Sequence, residues 1–107
     1  MTGYIQPLAR EDILRQYRYL LTEEDRPIAA ERFLQAIRAA VSQLCRRPAI
    51  GAPLRLANPR LAGIRSWPVQ GFPSIRMYYL VSENQLRVVR VLHGKRDIVS
   101  ILESESE

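Results

Sequence analysis

The stretch SIRMYYLVSENQLRVVRVLH, Ser74 to His93, decides the fold. From Ser74 to Val81, the residues Ile75, Met77, Tyr79 and Val81 alternate with Arg76, Tyr78 and Leu80, the two-residue period of a strand. Ser82, Glu83 and Asn84 supply turn residues, and Leu86 to His93 alternates again. Leu86, Val88, Arg90 and Leu92 fall on one face of this second strand, with Arg87, Val89, Val91 and His93 on the other. Neither face is wholly polar. Either a partner covers part of one side, or the strand is central and buried on both sides.

Upstream, Gly63 to Trp67 reads as a shorter strand halted by Pro68, and Val69 to Pro73 as a turn-rich bridge into Ser74. Residues 48–62, with Pro48, Gly51, Pro53, Asn58 and Pro59, hold too many breakers for regular structure. The period changes before that loop. Ile13, Leu14, Tyr17, Leu20 and Leu21 form one apolar stripe of a helix that starts near Leu8 and ends near Leu21. Thr22 to Asp25 gathers capping oxygens and negative charge, so a second helix is expected from near Asp25, with Pro27 in its first turn. Its buried stripe is Ala29, Phe33, Ile37, Ala40, Val41 and Leu44, and Cys45 at its end reads as a small apolar filler. About four residues join the helices, which makes them an antiparallel hairpin. Thr2 to Gln6 is a first short strand stopped by Pro7. Downstream, Gly94 ends the last strand, and Arg96 to Leu102 is expected to form a short helix before an acidic tail, residues 103–107, that frays. The expected architecture is α+β: an N-terminal strand, a helix hairpin on a mostly antiparallel sheet, and a terminal helix, all in one domain spanning 1–107.

The chain has 107 residues, 16 Lys+Arg against 11 Asp+Glu, and a formal net charge of +5. That charge is unevenly placed. Residues 1–45 balance six Arg with six acids, whereas residues 46–96 hold nine Arg and Lys95 against Glu83 alone, and the last eleven residues carry four acids. Arginine suits carboxylate and phosphate partners, so this segment is either an anion-binding surface or a solvated basic face. One cysteine rules out an internal disulfide, and one histidine leaves little for zinc. No metal or cofactor is expected. With no apolar run of membrane-spanning length and no long apolar leader core, a cytoplasmic location is expected.

Glycine-rich phosphate loops, GxSxG and HExxH are absent. Arg65, Arg76, Arg90, Lys95 and Arg96 lie on or just after three successive strands, where they can converge on a phosphate. RNA cleavage without metal needs a base and an acid as well. Arginine serves poorly for either, which leaves His93, Tyr78, Tyr79 and Lys95 for proton transfer. Trp67, beside Arg65, either stacks on a base or covers the core.

Four segments carry a family resemblance: Gly63 to Val69 (GIRSWPV), Gly71 to Pro73 (GFP), Met77 to Tyr79 (MYY), and above all Arg90 to Ile98 (RVLHGKRDI). With the helix hairpin in the corresponding place, the chain resembles the RelE/ParE superfamily of toxins from type II toxin–antitoxin modules, and more closely the ParE, plasmid-stabilisation branch. The resemblance implies a growth-inhibiting toxin, silenced by a cognate acidic, ParD-like antitoxin in a hetero-oligomer. The implied target is DNA gyrase, or ribosome-bound mRNA if the chain follows the RelE branch. In the nuclease case Arg65, Arg76, His93 and Arg96 are the implied catalytic positions. Trp67, Arg90 and Lys95 are assigned to binding. The chain departs from the pattern at three positions: Trp67 stands where those nucleases carry a lysine, Leu102 where they carry a tyrosine, and Leu80 where ParE toxins usually carry an arginine.

Overall fold

The computed structural model describes residues 1–94 and 96–104. The order of elements is β1 (Thr2–Ile5), α1 (Pro7–Arg18), α2 (Pro27–Arg46), β2 (Ala52–Pro53), β3 (Arg65–Val69), β4 (Phe72–Ser82), β5 (Gln85–His93) and α3 (Ile98–Ser104). The strands form one sheet in the order β1-β5-β4-β3-β2, with β1 parallel to β5 and the other pairs antiparallel. The expected α+β architecture is the one observed.

The two long strands sit inside this sheet, which explains why neither of their faces is polar. Ile75, Met77 and Tyr79 of β4 face α1 and α2, where they join Ala9, Ile13, Phe33, Ile37 and Leu44 in the main core. Tyr78 and Leu80 face the other way and pack with Leu61, Ile64, Leu92 and Leu102 in a second core. Of the two sequence alternatives, a central strand buried on both sides is the one realised. The second face is closed by the chain itself, through α3 and the segment leading into β3.

Several local details differ from the sequence expectation. The alternation in β5 breaks once: Tyr78 pairs with Arg90 while Tyr79 pairs with Val88, so Val89 is an extra residue. This bulge changes the face of everything beyond it. Val91 therefore joins Leu86 and Val88 in the main core, and Leu92 joins Val89 on the second face. The expected α1 stripe also changes. Leu14 and Leu21 are exposed, and the inward positions are Ala9, Asp12, Ile13 and Leu20.

Between the helices, Tyr19–Glu23 widens into a π-helical turn, in which the Thr22 hydroxyl donates to the Arg18 carbonyl 2.7 Å away. Thr22 is thus bonded backward into the first helix and does not cap the second. Asp25 follows in the left-handed region at φ 49°, and α2 starts at Pro27. Proline suits that position because its missing N–H would have no helical partner there. The expected loop over 48–62 contains β2 and a single 3-10 turn at Pro59–Leu61. Pro68 lies within β3, opposite Arg76, and the register shifts just after it. The terminal helix begins at Ile98, two residues later than expected, and includes Glu103 and Ser104. The rest of the acidic tail, 105–107, and Lys95 lie outside the described residues.

Candidate functional site

Of the seven sequence-derived site residues, Lys95 lies outside the described residues; Arg65, Arg76, Trp67 and Arg90 occupy separate surroundings, and His93 and Arg96 share one. Arg65 pairs with Tyr79 across β3 and β4, and so shares its face of the sheet. Its guanidinium donates to the carbonyls of Ala49 at 3.2 Å and Gly51 at 2.7 Å. The Tyr79 hydroxyl completes the same knot, donating to the Pro48 carbonyl at 2.7 Å and accepting from the Gly51 amide at 3.0 Å. A side chain at Gly51 would run into that hydroxyl, so glycine is required by close approach. Arg65 thus fastens the loop after α2 to the sheet.

Arg76 points to the opposite face. Its Nε and Nη2 donate to the Ser66 hydroxyl at 3.2 and 3.0 Å, and the residue is half-buried. Trp67 is half-buried against the main core, on the face that carries the helices. Of the two readings of Trp67, covering the core describes its packing.

Arg90 is buried, 7% exposed, although it was assigned to binding. β1 pairs with β5 only as far as Val88, so the edge of β5 beyond it falls to α1. Asp12 fills that place. Its Oδ2 accepts from Arg90 Nε at 2.7 Å and from the Val91 amide at 3.0 Å, and its Oδ1 accepts from Arg90 Nη2 at 2.8 Å. A two-pronged, charge-assisted pair with an added backbone bond meets the conditions under which buried charges are tolerated. Asp12 was missed by the sequence reading. Its helical position one residue before Ile13, on the inward side, was the available signal.

His93 and Arg96 are brought together. Both are exposed, and they line a notch of about 90 Å³ with Arg15 and Gln16 of α1 and with Asp12 at its base. Arg15 is 67% exposed at its side chain and lies 3.4 Å from Asp12 Oδ1, a loose surface contact. The two tyrosines named for proton transfer are unsuited to act as bases. Burial raises the pKa of Tyr78, opposed by Arg76, and also that of Tyr79, opposed by the Gly51 bond and Arg65. Both phenols therefore stay protonated at neutral pH. Leu102, at the tyrosine position of the nucleases, is 2% exposed inside the second core.

Larger hollows lie elsewhere among the described residues, including one of about 280 Å³ where Trp67, Pro68 and Gln70 meet Ala36, Ala40 and Gln43 of α2. Another, about 270 Å³, runs between the helices over Ile13, Leu14, Leu34 and Ile37, with Arg10 and Arg38 on its rim. A third, about 350 Å³, lies on the second face of the sheet beside α3. Among the described residues no three or more His, Cys, Asp or Glu gather where they could hold a metal, and no helix is long and apolar enough to cross a membrane.

The family model for the ParE toxin of the type II toxin–antitoxin system parDE matches residues 4–98. No curated protein sequence matches the chain significantly. Among solved structures, one described as the chromosomal ParDE TA system from P. aeruginosa has the same fold: the TM-score is 0.68 at 19% identity, over 89% of this chain and 97% of that one. With the family model spanning β1 to the first residue of α3, the chain belongs to the ParE toxin family of type II toxin–antitoxin systems.

Proposed function

We propose that this toxin acts by binding DNA gyrase, within a plasmid-stabilisation module, and makes no use of nuclease chemistry. The observation that carries the reading is the dispersal of the expected catalytic groups. Arg65 is occupied with loop carbonyls, Arg76 lies on the opposite face, Tyr78 and Tyr79 are buried, and the terminal-helix tyrosine is replaced by a core leucine. A phosphate bound at Arg65 would lie on the opposite face of the sheet from Arg76. Adding purified toxin in stoichiometric excess to a gyrase supercoiling reaction is expected to stop supercoiling, and unchanged supercoiling would remove the proposal.

A second reading keeps ribosome-dependent mRNA cleavage. His93 and Arg96 favour it, since they share one notch with Arg15. On that reading, toeprinting of translated mRNA shows cuts that vanish with His93→Ala and with Arg96→Ala. Intact mRNA excludes it.

Toxins of this family are paired with an antitoxin. The proposed antitoxin is a small, ParD-like protein whose acidic segment orders on contact. The apolar groove between α1 and α2, rimmed by Arg10 and Arg38, suits an amphipathic helix, and the arginine-rich strands suit its acidic continuation. Arg76→Glu is then expected to weaken co-purification with the neighbouring gene product and to reduce its salt sensitivity. Arg90 takes no direct part in this contact because it is buried against Asp12.

A further inference from the structure

The hollow of about 350 Å³ beside α3 falls in the size range of small-molecule sites. Its walls are aliphatic: Leu8 of α1, Leu61 of the 3-10 turn, Leu80 of β4, Val89 of β5 and Leu102 of α3. Five polar residues line it with them, Gln6, Asn58, Arg60, Arg87 and Arg90, and Asn58 is already engaged, its side chain accepting from the Arg60 backbone amide and its own backbone amide donating to Glu103. Gln6, at the end of β1, is only 7% exposed, and its backbone is fully used, donating to Val88 and accepting from Arg10. Its side-chain amide has no hydrogen-bond partner among the described residues, although it lines the hollow. A buried amide left unsatisfied is uncommon in folded proteins and marks a place where something else supplies the bond. Arg87 of β5, half-buried, and Arg60 of the 3-10 turn line the same space, and neither guanidinium has an acidic partner among the described residues. Arg90 also reaches the wall, but its charge is already met by Asp12.

We propose that this hollow is a binding site for a carboxylate with an aliphatic body, its oxyanion held by Arg87 and Arg60, its chain laid against the leucines, and Gln6 donating a hydrogen bond to the head. Aromatic walls would suit a nucleobase or another flat ring, whereas the apolar side chains here are all aliphatic. The charge calls for an anion. The chemistry is available from a free medium-chain acid or from a leucine and glutamate side by side in an acidic peptide, and the two sources are separable by experiment. The site is independent of the toxin's target, so a negative gyrase assay does not affect it.

The test is methyl and side-chain amide NMR of the full-length chain titrated with octanoate. Saturable shifts are expected at the methyls of Leu61, Leu80 and Leu102 and at the Gln6 amide. Octanamide, which lacks the charge, and inorganic phosphate, which lacks the chain, are each expected to bind roughly tenfold or more weakly. Arg87→Gln should lower octanoate affinity by a similar factor, and Val89→Phe, which fills the hollow, should abolish saturable binding while the remaining spectrum stays that of the folded protein. If the peptide acetyl-Leu-Glu-Leu-Glu-amide binds more tightly than octanoate, a peptide is the source; the reverse order supports a free acid. Linear shifts spread over the arginine-rich surface, or octanoate binding that neither variant changes, would overturn the site.

Discussion

Asp12 closes the stretch of β5 edge that β1 leaves unpaired. It sits in the apolar stripe of α1 because β5 needs an acceptor where β1 stops, and the carboxylate answers both the Val91 amide and the Arg90 guanidinium. Removing one member of such a pair leaves the other charged and buried, which costs about 3–5 kcal/mol. Asp12→Ala is therefore expected to lose about that much stability in urea unfolding, and Arg90→Ala a comparable amount. The double change Asp12→Leu with Arg90→Met should recover most of the loss, because similar apolar volume replaces both charges. Equal loss in the double variant would show that the pair itself, and not the orphaned charge, supplies the stability. At this scale the sequence was legible at most apolar positions: Phe33, Ile37, Met77 and Leu44 are all buried as their spacing indicates, while Leu14 and Leu21 are exposed. It was opaque for Arg90 and Arg65, because an arginine on a strand has the same spacing whether it meets solvent, a carboxylate on a distant helix or a pair of loop carbonyls.

Among the α-helices, α3 is the shortest and is attached through Leu102, with Ile98 and Ile101 partly buried beside it. It is a seven-residue helix, too short to hold itself in water, and Leu102 is its one buried residue. It therefore depends on tertiary contact for its structure. Leu102→Ala is expected to cost about 2–5 kcal/mol of local stability, read as faster amide exchange over 98–104 while β4 and β5 keep their protection. Uniformly faster exchange would mean that α3 unfolds only with the whole. The types and order of the elements were readable because both hydrophobic periods are long and proline marks their starts. What stayed hidden arose from single-residue events. An extra residue at Val89 exchanges faces without altering composition, and a π-helical turn after Arg18 moves the start of α2 past the apparent cap at Thr22 to Asp25. Neither has a distinctive residue type. The candidate site suffered most from this, since which arginines can meet depends on face and register.

Across the whole molecule, the sheet separates the face that carries the helices from the face closed by α3, and each side of β4 buries one tyrosine. Burial holds both phenols protonated above their ordinary value of 10.0. The stability they contribute is complete below that unfolded value and is lost as pH rises through the raised folded values. Urea midpoints are therefore expected to fall as the pH rises above about 10, more steeply than in the Tyr78→Phe variant, with phenolate absorbance appearing as the fold is lost. An equal slope in that variant would assign the alkaline loss elsewhere. The parallel pairing of β1 with β5 carries a consequence for biosynthesis. Thr2 lies beside Gln85 and Gly3 beside Leu86, so the first strand to leave the ribosome waits for nearly the last. The helices emerge earlier but have no sheet to rest on, and Asp12 has no Arg90 to meet. The sheet, and with it both cores and the Asp12–Arg90 pair, can thus close only after β5 has been made.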